Sequence, residues 1–547
     1  MSVQSPLGAF LQWEKENPDL ILFHQPLHGG KRKTYTRSQA GDEIRRVAKS
    51  LRQLDLPPKS KVAILSKNCA HWIMADLAIM MAGHISVPIY PTLDADSIRQ
   101  ILDHSESSSI FLGKLDDYPS QKVGIPEINK IGFNCYGMDD GTSWDELVAN
   151  NQPLTSYADQ NPDDLISILY TSGTTGTPKG VMHTVQNFTI VPQTYPKKLS
   201  VPDNPRFFSY LPLAHVAERV GIEMNGLFRG STFYFAESIE TFALDLEKVQ
   251  PHMFFAVPRI WAKFQEAILK KIPQKKLNLL TSIPIVNLLV RKKLKKKLGL
   301  STATFIASGA APISVELIHW FRKIGVNINQ VYGMTEDCIL SHYNFPAENR
   351  IGSVGKALPG VTGKISEEGE ICIKNEVLMK GYYKNPDLTK EMFDSEGFLK
   401  TGDIGEYDKD GYLFITGRIK DQFKTDKGKY ISPAPIELQL LKNENIELCC
   451  VVGMGIPQPI ALCVLSEDGI AKDHQTLIES LKTTLVTVNK KLKKVEKLSK
   501  MVIMKADWSV DNGLLTPTLK TKRNQIEKIH MPNYKNWFNQ EGEVVFE

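Results

Sequence analysis

The chain has 547 residues, 42% apolar and 23% charged, a globular composition with ample core material that excludes a disordered or low-complexity protein. Its 66 Lys and Arg against 61 Asp and Glu leave a formal net charge of +5, too small for this length to argue for nucleic acid as a partner. The seven cysteines are an odd number without C-x-x-C spacing, so reduced thiols and a cytoplasmic location are expected, with neither a zinc site nor a disulfide framework.

The opening segment, MSVQSPLGAFLQWEKENPDL, has no basic stretch leading into an apolar run, so no secretory signal is expected. From 61 onward, short β-branched runs alternate with helical patterns: KVAILSK, CAHWIMADLAIMMAG, ISVPIY, ADSIRQILDHS and SSIFLG. This rhythm predicts βαβ units building a largely parallel sheet. The most apolar part, 71–90, is interrupted by Asp76 and His84, and is not the clean run of roughly 20 residues that a membrane span requires.

Next comes ILYTSGTTGTPKGVMH at 168–183, hydroxyls, glycines and a lysine following directly on an apolar run. Backbone N–H groups around Gly173 and Gly176, the hydroxyls of Thr171, Ser172, Thr174 and Thr175, and the charge of Lys179 suit phosphate oxygens. The loop is not the familiar G-x-x-x-x-G-K-[ST] nucleotide motif. Counted from Gly173, Pro178 replaces the second glycine and Gly180 stands where a magnesium-binding hydroxyl belongs. Taken alone, it could be an ordinary flexible turn.

A second series of strand-like runs follows: RFFSYLPL, GSTFYFA, HMFFAVP, ATFIASG and NINQVYG. Within it, His215 in LAHVAE, a lone histidine beside apolar residues, reads by itself as a core histidine. The stretch 270–300 holds ten Lys or Arg and no acid, so the rest of the chain carries about −5 and the basicity is local. With Leu288, Leu289, Val290, Leu294 and Leu298 beside that charge, it reads either as a solvated helix or as an interfacial helix for peripheral association with an anionic membrane.

SGAAPIS at 308–314 supplies small residues, Gly309 and Ala310 among them, that let backbone approach a flat ring. QVYGMTE at 330–336 sets an aromatic face, a turn, a hydroxyl and a carboxylate close together. Tyr332 can stack on a base, Thr335 can reach a phosphate, and Glu336 can hold Mg²⁺, which favours oxygen ligands. Beyond about 360 the texture turns to short strands punctuated by Gly and Asp, GEICIKN and GFLKTGDIGEYDKDGYLFITGR, which predicts antiparallel β structure. There Asp403 is suited to accept two ribose hydroxyls, and Arg418 follows in GRIKD. A smaller α/β module comes last, with strands IELCCVVGMG and IALCVLS and a Lys-rich helix over 476–497.

The ordered set YTSGTTGTPKGV, YGMTE, TGD, GRIKD and LLTPTLKTKR resembles the adenylate-forming superfamily of acyl-CoA synthetases, luciferases and peptide-synthetase adenylation domains. LPLAHVAER and NGLLTPTLKTKRN are more similar to long-chain fatty acid CoA ligases. The resemblance implies an α/β fold: a large N-terminal domain of mixed parallel sheets with helices plus a β-rich subdomain, and a small mobile α+β C-terminal domain. The divisions expected are 1–418, binding AMP and the acyl group, and 419–547, carrying a catalytic lysine, with Lys420 as the hinge.

The same resemblance implies ATP-dependent activation of a medium- to long-chain fatty acid to acyl-AMP, then transfer to coenzyme A. Mg²⁺ is the implied metal, on the side of Thr171 and Glu336, with ATP, coenzyme A and the fatty acid as partners; the oligomeric state stays open. Lys520, otherwise one solvated lysine among many, becomes the cation at the carboxylate and α-phosphate, acting with Thr171, Lys179, Thr335 and Glu336. The nucleotide site implied runs through Thr171 to Gly176 and Lys179, Gly309 and Ala310, Gln330, Val331, Tyr332, Gly333 and Thr335, Asp403, Arg418, Lys420 and Lys424. His215 and Tyr430 are assigned to the acyl pocket, although FKTDKGKYISPAPIE departs in detail from the family pattern. The alternatives are an acyl-AMP ligase that delivers to a carrier-protein pantetheine, and a non-catalytic nucleotide- or lipid-binding relative.

Overall fold

The computed structural model describes residues 5–157, 160–171, 178–194, 201–238, 240–510, 512–516 and 519–547. Its largest sheet has eight strands in the order Gly381–Tyr382, Lys179–Thr184, Leu165–Thr171, Ile85–Ile89, Lys61–Leu65, Ser107–Leu112, Asn129–Gly132 and Thr142–Ser143. From Leu165–Thr171 to Thr142–Ser143 all neighbours are parallel, and the two strands at the other edge run antiparallel. The alternating helices expected from sequence are present. Ala95–Ser105 starts where the Asp94 carboxylate accepts the Ser97 N–H at 2.7 Å, satisfying one of the orphan donors of its first turn.

Helix Ala70–Ala82 is buried along every residue, which accounts for its nearly unbroken apolar sequence. Asp76 is tolerated there because Arg219 reaches it at 2.6 Å and binds Glu223 at 2.5 Å, all three being inaccessible to solvent. A buried charge held this way is stable only with its partners in place.

A second sheet runs Met253–Ala256, Phe305–Ser308, Asn329–Tyr332, His342–Tyr343 and Lys356–Ala357, the first three strands parallel. A third, antiparallel sheet comprises Thr362–Ile365, Glu370–Lys374, Leu399–Tyr407 and Leu413–Arg418. Along Leu399–Tyr407 burial alternates strictly at first, as a sheet with one covered face requires. Asp403 falls on the covered side, where a carboxylate has no packing reason to be.

Leu413–Arg418 hands over to a single 3-10 turn, Ile419–Asp421. Beyond it the chain builds a smaller sheet, Ile446–Val452, Ile460–Leu465, Lys500–Ile503 and Val544–Phe546, with its own apolar clusters on both faces. The Lys-rich helix is shorter than the sequence suggests, ending at Lys491 rather than 497. The Asn489 side chain donates to the Leu498 carbonyl and accepts the Leu498 N–H, both at 2.8 Å, and this clamp turns the chain back. The C-terminal module meets the rest partly through ion pairs, Arg259 with Glu447 at 2.5 Å and Lys442 with Glu316 at 2.5 Å. Such partly exposed pairs contribute little stability each.

Candidate active site

A cleft of about 1640 Å³ lies between the C-terminal module and the ends of the parallel strands, lined among others by Thr171, Ala310, Tyr332, Asp403, Arg418 and Lys520. Its position beyond the carboxyl ends of parallel strands is where open α/β sheets bind ligands. Each strand delivers its last residue and the following turn to the cavity. Motifs separated by hundreds of residues therefore converge.

On one side Tyr332 donates its phenol hydrogen to Asp403 Oδ2 at 2.6 Å, and Arg418 Nε meets Asp403 Oδ1 at 2.7 Å. Burial and the Asp403 charge push the Tyr332 phenol well above its ordinary range, so it stays a donor. Gly309 lets the end of Phe305–Ser308 approach its neighbour: a Cβ there would stand 2.8 Å from the Val331 carbonyl oxygen. Ala310 follows with φ +66°, a conformation rarely paid for outside functional sites. Gln330, on the adjacent strand, is anchored by accepting the Gly352 N–H at 3.0 Å.

The turn after Tyr332 folds back on itself. A Cβ on Gly333 would meet the Ile339 Cα at 2.6 Å, and Cys338 and Ile339 both have positive φ, 52° and 56°. For a β-branched residue this is a genuine outlier. Asp337 holds the turn by accepting the Met334 N–H at 2.8 Å; its burial raises its pKa to about 8. This packing presents Thr335 and Glu336 to the cleft.

Glu336 is 9% exposed, and Oε1 accepts the Tyr382 hydroxyl at 2.7 Å. The Lys179 ammonium lies 5.5 Å from the centre of the same Tyr382 ring. Burial, then the charge of Lys420, depress the Lys179 pKa, opposed by Glu336 and Glu391. Thr171 and Lys179 are cross-strand partners, and Thr171 and Pro178 line the cleft. Ser172, Gly173, Thr174, Thr175 and Gly176 themselves lie outside the described residues.

A magnesium ion fits this donor set in one way. Among the described residues no cluster of three or more His, Cys, Asp or Glu forms a cage, whereas Glu336 and Thr171 each offer hard oxygen in the lining of the cleft. That suits an ion carried by a nucleotide, which keeps water and phosphate ligands and takes one or two from protein.

Lys520 reaches the cleft from the C-terminal module on a tight turn, in which its N–H is held by the Thr516 hydroxyl at 3.0 Å. Burial, then the Arg418 charge, lower its pKa to about 8, with Asp403 opposing. His215 stands near it. Burial and the Lys520 charge bring the imidazole down to about 3, so it is neutral. Its Nδ1 accepts the Ala217 N–H at 3.1 Å, which leaves the proton on Nε2. Val216, Gly221, Ile222, Phe255 and Phe345 contribute apolar wall to the same cleft as His215. Gly221 sits in a π-helical segment, Arg219–Met224, and a Cβ there would meet nothing within 4 Å.

Four expected residues, Lys179, Lys420, Lys424 and Tyr430, are not in the lining of the cleft. Lys424 and Tyr430 face one another across the short pair Phe423–Lys424 and Tyr430–Ile431, with the ammonium 5.7 Å from the ring centre. Tyr430 is 67% exposed. In this arrangement it does not line the acyl pocket, because its strand alternation turns it outward while Ile431 is buried. Lys420, in the 3-10 turn, sits where its charge is felt by Lys179.

Sequence reading missed Tyr382, Asp337 and Gly221. Asp337 could have been found as the residue after the YGMTE motif. Tyr382 and Gly221 carry no sequence signal, since what distinguishes them is which surface they face.

Residues 10–383 match a family model described as AMP-binding enzyme, and 420–536 one described as AMP-binding enzyme C-terminal domain. The chain is 28% identical to long-chain-fatty-acid–CoA ligase ACSBG2 of Xenopus laevis, covering 92% of this chain and 79% of that protein. It is 28% identical to long-chain-fatty-acid–CoA ligase FadD15 of Mycobacterium bovis, covering 96% of each. Its fold matches a crystal structure of the adenylation domain of a carboxylate reductase from Mycobacterium chelonae, with a TM-score of 0.83 at 20% identity, covering 98% of this chain and 91% of that one.

Proposed function

This chain belongs to the AMP-binding enzyme family, and from that premise we propose that it activates a medium- to long-chain fatty acid with ATP and passes the acyl group to coenzyme A. The observation that carries the reading is one cleft lined by the Tyr332–Asp403–Arg418 cluster, by Lys520 and His215, and by apolar Val216, Ile222, Phe255 and Phe345. The names of the two ligase relatives support fatty acid and coenzyme A as substrates.

A carboxylate is a poor acyl electrophile, so activation precedes thioester formation. In the first step a carboxylate oxygen attacks the α-phosphorus of ATP, the bond from that phosphorus to the β-bridging oxygen breaks, and pyrophosphate leaves. Tyr332 covers the base, and Asp403 accepts the ribose hydroxyls with Arg418 fixing its orientation. Thr335, Thr171 and Lys179 take the phosphates, and Glu336 would hold a magnesium ion, which when bound would neutralise phosphate charge. Lys520 lies between two anions that must be brought together, and its ammonium offsets their repulsion. Preorganised charge of this kind, aimed at charge developing in a water-poor site, is the largest contribution in many such reactions.

In the second step the thiolate of coenzyme A attacks the acyl carbon, the carbon–oxygen bond to phosphate breaks, and AMP departs. Lys520 occupies the face a thiol needs. Rotation of the C-terminal module about Ile419–Asp421, with Lys420 as hinge, withdraws Lys520 and opens that face. His215, neutral and donating through Nε2, lies where the acyl carboxylate enters.

The test is product analysis. Purified protein with ATP, Mg²⁺ and a panel of carboxylic acids should yield AMP and pyrophosphate, and acyl-CoA once coenzyme A is added. ADP as the nucleotide product overturns adenylation. AMP release that a carrier-protein pantetheine accelerates and coenzyme A does not would reassign the acceptor.

A further inference from the structure

The basic stretch 270–300 folds as a helical hairpin, Gln274–Ser282 and Pro284–Lys297, turning at Ile283. Its base is fastened to the body: Leu277, Leu294 and Leu298 are buried in the cluster around Trp261 and Phe321, and Val290 packs against it. Its tip is not. Leu279, Ile283, Ile285, Leu288 and Leu289 are 64%, 45%, 75%, 68% and 65% exposed. Single exposed apolar side chains are ordinary, but five large ones within a short tip form a patch, and patches mark interaction surfaces.

The charge around that tip is of one sign. Arg291 donates to the Lys323 carbonyl, Lys270 pairs with Glu266 and Glu467, and Lys297 pairs with Glu247. Lys271, Lys275, Lys276, Lys292, Lys293 and Lys296 make no ion pair among the described residues. Lys275 and Lys276 lie on the first arm and Lys292, Lys293 and Lys296 on the second, a collar behind the apolar tip, while Lys271 ends the preceding helix. A nucleic acid would match the lysines but not the Leu and Ile ahead of them. A protein interface of this size favours aromatic residues and Arg at its centre and is depleted in Lys. Aliphatic side chains leading, with flexible ammonium groups one turn behind, match the boundary between acyl chains and anionic headgroups.

We propose that the hairpin 274–297 is a docking surface for an anionic lipid bilayer, its Leu and Ile tip entering the headgroup boundary and its lysine collar meeting the lipid phosphates. No described helix is long and apolar enough to cross a membrane, so the contact is a peripheral one. The hairpin follows helix Pro258–Lys271, whose Ala262, Gln265 and Leu269 line the cleft. The docking rests on the hairpin alone. That it serves delivery of a bilayer-partitioned acid to the cleft rests on the function proposed above.

The experiment is sedimentation of the full chain with vesicles of equal parts phosphatidylcholine and phosphatidylglycerol, against phosphatidylcholine alone, at low and high salt. Binding should occur to the anionic vesicles and fall steeply with salt. Leu288→Ser with Leu289→Ser, and separately Lys292→Glu with Lys293→Glu, should each weaken it at least tenfold. Both pairs should keep ATP-dependent activation of octanoate, a soluble acid, within about twofold, which also reports that they fold. Failure of the wild type to bind anionic vesicles at low salt overturns the proposal, as does undiminished binding by both variants. A dimer that Leu288→Ser with Leu289→Ser dissociates would assign the tip to a second copy and overturn it as well. Vesicle binding without any acid activation would leave the docking standing and remove the proposed function instead.

Discussion

Tyr382 donates its phenol hydrogen to Glu336 Oε1 at 2.7 Å, across 46 residues of sequence, inside the wall of the cleft. The bond engages one carboxylate oxygen of Glu336, a residue that lines the cleft. Hydrogen bonds to charged groups contribute about 1.5–3 kcal/mol, which corresponds to roughly ten- to hundredfold. Tyr382→Phe should therefore raise the Mg²⁺ concentration for half-maximal adenylation about tenfold and leave the KM for the acid nearly unchanged. Glu336→Gln should lower the adenylation rate more than Tyr382→Phe at every Mg²⁺ concentration. Titrating pyrophosphate release with Mg²⁺ checks both, and an unchanged Mg²⁺ profile for Tyr382→Phe would assign the tyrosine to packing alone.

Lys520→Ala should slow acyl-adenylate formation on the order of 10²–10³-fold, the typical loss for one preorganised donor. Supplied with synthetic acyl-AMP and coenzyme A, the same variant should make thioester at close to the wild-type rate. Single-turnover measurements of the two half-reactions separate the outcomes. Equal slowness in both would place Lys520 in both steps or in maintaining the fold.

The pH profile follows from the same lysine. Burial and Arg418 bring its pKa down to about 8, and the protonated form is the one that offsets anionic charge. The kcat/KM for ATP, which reports the free enzyme, should be flat below pH 8 and fall tenfold per pH unit above it. Lys520→Arg, whose guanidinium stays charged, should abolish that fall whatever its absolute rate. His215, with a pKa near 3, should contribute no limb around pH 6 to 7. A rate that climbs with pH through that range would contradict the neutral imidazole.

Lys420 in the turn Ile419–Asp421 is the proposed hinge. Proline locks φ and removes the N–H, so Lys420→Pro should leave adenylation within a few-fold and slow thioester formation at least tenfold. Rapid-quench assays started from acid and ATP, or from acyl-AMP, distinguish the two. Equal loss in both half-reactions would move the hinge elsewhere.

Gly221 faces open cavity where its own Cβ would be. Leu at this position should fill the pocket and exclude several methylenes of the substrate. At about 0.8 kcal/mol per buried CH₂, three or four of them correspond to roughly hundredfold in kcat/KM for palmitate, with octanoate changed less than threefold. Gly221→Ala, which adds one methyl to open space, should alter neither much. A chain-length profile unaltered by Leu would show that the acyl chain runs elsewhere in the cleft.

Much of this protein was legible in its sequence. Hydrophobic period and turn residues depend on neighbours a few positions away, and they located the helices at Ala70–Ala82 and Ala95–Ser105 and nearly every strand that borders the cleft. The motifs around Thr171, Tyr332, Asp403 and Lys520 were readable because each packs its chemistry into a few consecutive residues. Asp403 was found this way, as the carboxylate of the short TGD motif, although that it lies on the covered side of its strand is seen only in the structure. The tertiary structure decided everything that depends on which surfaces meet. Asp76 interrupts an apolar run in sequence and is explained only by Arg219, 143 residues away. Tyr430 looks like a pocket residue until the pairing of Phe423–Lys424 with Tyr430–Ile431 turns it outward. Tyr382 meets Glu336, Gly221 borders open space in the cleft, and Leu279, Ile283, Ile285, Leu288 and Leu289 stay exposed while Leu277 and Leu294 of the same hairpin are buried. Local periodicity is fixed by backbone geometry over a few residues, whereas the direction a side chain faces and the partner it meets are set by packing between distant elements, which no short window of sequence contains.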